Sequence, residues 1–212
     1  MTPLFLNLRD RLCVVVGGGP VGRRKATTLL HDGARVRLVC LEPRPTNDIG
    51  DSLVWVTEPY EAEQLRGAAL VFAAATSEVN RRVVADAHAA GLWVNAASEP
   101  EGGDFFMPAT LHRGELVVAV GTAGAAPALA RAVRDLLDAH LDDAFGQWLT
   151  LLGELRSQIL ATIPPPEWRR ALLERLSRPE WLERLRHEPF EQVRDAMRAE
   201  VQALASALPA PL

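Results

Sequence analysis

The sequence predicts an α/β protein, with a parallel β-sheet in its first half and helices in its second. Three observations carry that reading. Residues 12–16 read LCVVV, an unbroken apolar run ended by glycines, as in a strand buried on both faces. Apolar runs and helical spacings then alternate at the intervals of βαβ units up to about residue 108. In the last third, prolines punctuate a series of helical spacings with no strand pattern among them.

The elements follow in order. A helix covers 20–32, with Val21, Ala26, Leu29 and Leu30 on its apolar side and Gly33 as its stop. Strands follow at Val36–Cys40 and at Leu53–Thr57, where Leu53, Trp55 and Thr57 alternate with Val54 and Val56. A short helix is expected at 61–66, a fourth strand at Leu70–Ala75 and a helix at 78–90, closed by Gly91. Leu92–Asn95 reads as a fifth strand and Phe105–Met107 as a sixth. Near residue 110 the pattern changes: Leu116–Val120 is strand-like, and the HRGE before it reads as a hairpin turn. A small-residue loop, GTAGAAPA, leads into a helix from Pro127 to His140, and another spans 144–162. Pro164, Pro165 and Pro166 break the chain. Two short helices follow, divided by Pro179 and Pro189, and a longer one runs to Leu208.

Composition narrows the function. With 212 residues and 48% hydrophobic side chains, a sizeable core can form. A net charge of −4 argues against a broad nucleic-acid surface. Two cysteines, Cys13 and Cys40, exclude a disulfide-rich scaffold and a CxxC zinc site, and each falls in an expected buried strand. The start of the chain carries charges ahead of its short apolar run, and no apolar stretch reaches the ~18 residues of a membrane span. A cytoplasmic protein with no membrane partner is expected. Lys25 is the single lysine among 23 basic residues and follows a glycine loop, so covalent lysine chemistry is disfavoured. Tyr60 is the single tyrosine, with Gln64 four positions on, which excludes a Tyr-x-x-x-Lys reductase site. From 151 onwards nine arginines balance nine acids, as in a helical appendage or dimer element.

Residues 17–22 read GGGPVG, so Gly17, Gly19 and Gly22 form G-x-G-x-x-G between a strand and a helix. Gly17 permits the tight turn, Gly19 lets a pyrophosphate approach the backbone, and Gly22 lets the helix pack closely on the sheet. The helix N-terminus offers its free N–H groups to phosphate. Glu42, 20 residues after Gly22, is placed for the ribose hydroxyls of NAD, whereas Arg44 would suit a 2′-phosphate. NAD is the favoured cofactor; the plainer reading of Glu42 is a solvated loop acid. Ligands in open α/β sheets bind beyond the carboxyl ends of the strands. Thr76 and Asn95 stand there as candidate cofactor contacts. The segment NAASEPEGGD concentrates Ser98, Glu99, Glu101 and Asp104, and a carboxylate beside a hydride acceptor can take up the accompanying proton.

Four segments occur in order: VVVGGGPVGRRKA, AAATSEVNRRV, VNAASEPEGGDFFMPA and VVAVGTAGAAPALAR. Together they resemble the precorrin-2 dehydrogenase family, including the N-terminal module of sirohaem synthase, over roughly residues 3–140. The resemblance implies NAD-dependent oxidation of precorrin-2 to sirohydrochlorin, with ferrous iron inserted at the same site in some members. It implies a homodimer interlocked around 109–145. The implied division is a Rossmann-like NAD-binding domain at 1–108, a dimerisation segment at 109–145 and a helical region at 146–212. Pro20 and Val21 would lie in the dinucleotide loop, with Leu41 and Glu42 at the adenosine end. The loop at Gly121–Pro127, with Thr122 and Gly124, would shape the tetrapyrrole site.

One departure stands out. Many members carry an aspartate in an Asn-x-x-Asp pattern, with a role in both activities; here Asn95-Ala96-Ala97 is followed by Ser98. A neutral serine is no strong base, so Glu99 or Asp104 would have to serve. Asp104 leads, because other members also place an acid before the Phe-Phe-Met-Pro run. The carboxylate-rich substrate calls for cations, and Arg131 leads over Arg81, Arg82, Arg113 and Arg134. The five histidines show no i, i+4 pairing, so no structural metal is expected and iron would be a passing substrate. Two readings compete: a non-catalytic NAD-sensing module, and a chelatase without dehydrogenase activity.

Overall fold

The computed structural model describes residues 1–44, 52–97, 102–163 and 166–207. The chain divides into two compact units, one of residues 1–107 with 123–125, the other of 108–122 with 126–212.

The first unit is a five-stranded sheet. Its elements are β1 (Leu12–Val16), α1 (Pro20–His31), β2 (Arg35–Cys40), β3 (Leu53–Thr57), β4 (Leu70–Ala73), α2 (Ser77–Ala89) and β5 (Trp93–Ala96). All neighbours pair in parallel, in the order β3-β2-β1-β4-β5. β1 lies at the centre because it is apolar on both faces. Cys13 and Val15 face α1, with Val36, Leu38, Leu70 and Phe72 beside them and Ala26 and Leu29 above. Val14 and Val16 face the other way, with Val39, Val71, Ala73 and Val94, under Val83 and Ala87 of α2. Both thiols are buried, and burial pushes that of Cys13 up to about 11. From β1 the chain moves outward to β2 on one side and later to β4 on the other. The loop after β1 is therefore at the switch point of the sheet, where a crevice opens.

Three elements differ from the expectation. The helix at 61–66 is one 3₁₀ turn, Ala62–Leu65, held by reciprocal bonds between Glu61 and Gln64. The fourth strand stops at Ala73, because the Asn80 amide takes both backbone groups of Ala75 and turns the chain into α2. The sixth strand, Phe105–Met107, does not form. Phe105 instead packs its ring edge-on against Phe72, with centroids 5.4 Å apart, so its apolar character covers the sheet rather than extending it.

In the second unit, β6 (Ala109–Arg113) and β7 (Leu116–Val120) form an antiparallel hairpin over a turn in which Gly114 has φ 56°. Five helices follow: α3 (Pro127–Asp138), α4 (Asp143–Thr162), α5 (Pro166–Leu176), α6 (Pro179–His187) and α7 (Phe190–Ala207). Prolines mark the starts of α3, α5 and α6, where a missing N–H costs no helical bond. Leu151, Leu155, Ile159 and Ile163 of α4 and its C-cap build the core with Leu176, Leu182, Val193, Met197 and Val201. Gly146 lets α4 meet the hairpin: a Cβ there would lie 2.8 Å from the Arg113 carbonyl oxygen.

Val14 has no exposed surface. Val14→Ala is expected to cost about 2 kcal/mol, read as a lower denaturant midpoint at unchanged slope.

Candidate dinucleotide site

β1 delivers the chain into the glycine loop at full burial, and each glycine there answers a different steric demand. Gly17 has φ 120°, and a Cβ on it would sit 2.3 Å from the Ala74 carbonyl oxygen. Its N–H donates to the Val39 carbonyl oxygen, which ties the loop to β2. A Cβ on Gly22 would lie 1.9 Å from the Gly17 carbonyl oxygen, so α1 can start there only on a bare Cα. A Cβ on Gly19 would meet nothing within 4 Å. The protein leaves that side of the loop open at the N-terminus of α1, whose first N–H groups have no side-chain cap. This is the cradle that a pyrophosphate requires. Pro20 opens α1, and Val21 is exposed beside it.

At the end of β2, Leu41 is exposed, and Glu42 folds back over the loop. A Cβ on Gly18 would lie 2.8 Å from Glu42 Oε2 and 2.7 Å from Cys40 Sγ. The Trp55 indole N–H donates to the Glu42 carbonyl oxygen at 2.9 Å. Arg23 donates through Nε to the Gly18 carbonyl oxygen at 2.6 Å and lays its guanidinium over the Trp55 ring. The sequence motif does not mark Arg23 or Trp55 as site residues. Trp55 reaches this corner only because the β2–β3 register sets it opposite Leu38, on the α1 side.

The candidates on the other half of the sheet fare differently. Thr76 is exposed at the N-cap of α2, beside the Ala74–Ala75 turn that touches Gly17. Asn95 is buried, and both ends of its amide serve the fold: Oδ1 accepts from Lys25 Nζ at 2.8 Å, and Nδ2 donates to the Phe105 carbonyl oxygen at 2.7 Å. Its expected turn toward a cofactor is therefore replaced by an internal bond chain. Asp104 does not meet the loop either. Its Oδ2 accepts from the Val94 N–H at 2.8 Å and lies 3.2 Å from His88 Nε2. Val94 stands level with Val71 and Val14, two residues short of the strand end where the glycines begin. Through Oδ2 the carboxylate clips the returning chain to β5, which gives Asp104 an anchoring task. Ser98 and Glu99 lie outside the described residues.

Gly124 packs within the first unit, where a Cβ would lie 3.2 Å from the Phe106 ring. Thr122 and Arg131 belong to the second unit. Thr122 Oγ1 accepts from the Ala126 N–H, and Arg131 is exposed on α3. Arg113 is not available for a substrate carboxylate: it donates to the Leu141 carbonyl oxygen and to Asp138 at the end of α3. Arg134 pairs with Asp135, and Arg82 lies over Tyr60 near Glu61. Among the described residues, no three His, Cys, Asp or Glu side chains converge as a metal site.

The fold and loop agree with the comparisons. Residues 4–109 match the family model described as "Putative NAD(P)-binding". The chain belongs to that NAD(P)-binding family. Siroheme synthase 1 of Halorhodospira halophila is 37% identical over 173 residues, which are 79% of this chain and 36% of that protein. Siroheme synthase of Salmonella typhi is 35% identical over 161 residues, 74% of this chain and 35% of that protein. The chain thus spans about a third of the length of these curated relatives. A solved structure titled SirC, precorrin-2 dehydrogenase, has the same fold, with a TM-score of 0.75 over 96% of this chain and all of that one, at 22% identity.

Within this NAD(P)-binding family, the geometry separates two glycines. Gly19→Ala is expected to keep wild-type stability yet weaken NAD binding at least about tenfold, because its methyl fills the cradle. Gly22→Ala is expected to cost about 2 kcal/mol or more in stability as well, because α1 must move off β1. Thermal melts and calorimetric titration with NAD would read both. Equal NAD affinity in Gly19→Ala and wild type would disprove the cradle.

Proposed function

We propose that the chain is an NAD-dependent dehydrogenase that oxidises precorrin-2 to sirohydrochlorin. One observation carries the reading. The likeness to siroheme synthases covers 79% of the chain, well past the NAD(P)-binding segment at 4–109. A likeness confined to NAD binding would end with that segment.

The residues divide the work. The open side of Gly19 and the N-terminus of α1 receive the pyrophosphate, with Gly17, Pro20, Val21 and Gly22 shaping the turn. Glu42 and Leu41 take the adenosine end, where the carboxylate accepts from both ribose hydroxyls and repels a 2′-phosphate. Thr76 borders the nicotinamide half. Bound NAD supplies the hydride acceptor. Oxidation removes one hydride and one proton from the macrocycle, so NADH and H⁺ are released with sirohydrochlorin. With Asp104 Oδ2 bonded to Val94 and beside His88, Glu99 is the acid proposed to take the proton, and Ser98 leaves the reaction to depend chiefly on orientation. Thr122, Gly124 and Arg131 are the proposed tetrapyrrole contacts, with the guanidinium pairing a substrate carboxylate.

The proposed assembly is a homodimer. α3 buries only Ala130 in the monomer but exposes Leu129 (56%) and Leu136 (64%), seven positions apart on one face. Among the described residues, β6 and β7 pair only with each other, which leaves both outer edges open to a second copy. Leu129→Glu with Leu136→Glu is expected to convert a dimer to monomer by light scattering at unchanged helix content.

The decisive assay incubates the protein anaerobically with enzymatically generated precorrin-2 and NAD and follows NADH and sirohydrochlorin absorbance. Turnover above the enzyme-free control is expected, with Glu99→Ala slower by about 10²-fold or more and Asp104→Asn less stable but close to wild-type rate. Adding ferrous iron to the product reads chelation separately. NAD binding without turnover would favour the sensing module.

A further inference from the structure

Lys25 occupies the sixth position of α1, half-buried between the helix and the sheet. Its ammonium sits 5.4 Å over the Phe72 ring of β4 and 2.8 Å from Asn95 Oδ1 of β5. Burial, with the neighbouring charge of Arg24, holds its pKa below the ordinary value. An apolar side chain would fill this place without that cost. What the ammonium adds is direction. It fixes which end of the buried Asn95 amide is the acceptor, and so aims Nδ2 at the Phe105 carbonyl oxygen, 2.7 Å away.

The chain of contacts links three elements. It begins in the helix whose N-terminus faces the cradle, about 7.5 Å from Lys25 at 1.5 Å per residue. It crosses the end of β5 and finishes in the chain that returns to the sheet. There the main-chain path is narrow: the Ala97 N–H donates to the Ala73 carbonyl oxygen and the Asp104 N–H to the Val94 carbonyl oxygen. A Cβ on Gly103 would lie 3.0 Å from the Ala96 nitrogen.

We propose that Lys25 is a positioning residue, which acts through Asn95 to lock the end of β5 and the returning chain to the dinucleotide-binding helix. Occupancy of the cradle then tightens the strand end over which the nicotinamide half must lie. The inference rests on the dehydrogenase reading for its rate effect, but its structural arm needs only NAD.

Two variants test it. Lys25→Met removes the donor. Asn95→Asp keeps a partner for Lys25 but cannot donate to Phe105, so it breaks the second link alone and serves if Lys25→Met does not fold. Both are expected to bind NAD within about threefold of wild type, since the cradle is untouched, and to lose kcat by at least tenfold through misplacement. Lys25→Arg is expected to recover most of that loss. In parallel, amide exchange by NMR follows Ala97 and Asp104: NAD slows both in wild type and neither in the two variants. Retention of NAD-induced protection in both variants would overturn the proposal, as would a fall in NAD affinity proportional to the fall in kcat. Should wild type bind NAD and show the protection without oxidising precorrin-2, the substrate reading fails and the coupling stands.

Discussion

The seating of Gly22 on the carbonyl of Gly17 is the contact on which the first unit depends. A methyl group in that gap would overlap the oxygen, so the start of α1 and the end of β1 can be this close only with glycine at position 22, while Gly17 is required separately by its φ of 120° and by Ala74. Close approach brings Ala26 and Leu29 down onto Cys13 and Val15, which closes one face of the sheet. It also holds the N-terminus of α1 at the switch point between β2 and β4, with the opposite side of the loop left clear. Stability of the layer and accessibility of the cradle thus come from neighbouring glycines of one loop, the first from Gly22 and the second from Gly19.

Much of this was written locally in the chain. LCVVV followed by GGGPVG gives a buried strand, a turn and a helix start from neighbouring residues, and the alternation of β and α elements sets the parallel sheet. Proline placement likewise marked the helices of the second unit. What local reading missed depends on register. Phe105–Met107 has strand composition, yet Phe105 reaches Phe72 from outside the sheet. Asp104 has the chemistry of a base, but pairing at the level of Val94 sets it below the strand end. Trp55 and Arg23 are 32 positions apart in sequence and meet only through the β2–β3 pairing.

The two polar residues of the described core make a related point. Asn80 and Asn95 are both nearly inaccessible, and both use the amide as a two-sided bracket: Asn80 holds the N–H and carbonyl of Ala75, and Asn95 joins the Lys25 ammonium to the Phe105 carbonyl. One shapes the exit of β4, the other the exit of β5. A buried amide satisfied at both ends costs little, while a misdirected one costs the desolvation of each group. Strand exits in this fold carry the ligand-facing turns, so such brackets stand where an error of an ångström would matter most. The glycine motif marks the phosphate end of the site in sequence; nothing comparably local marks these brackets.

The partition of the chain has a practical meaning for its dissection. After leaving the first unit at Pro108, the chain comes back to it for Ala123–Gly124–Ala125 and then departs again. Ala123 and Gly124 both take left-handed backbone angles in that short visit, at φ 53° and 83°. A fragment ended at Met107 is therefore incomplete, since three residues that belong to its packing are encoded beyond its end. The gene segment and the physical unit do not coincide, and a transplant of the dinucleotide-binding half would have to supply a substitute for that returning stitch.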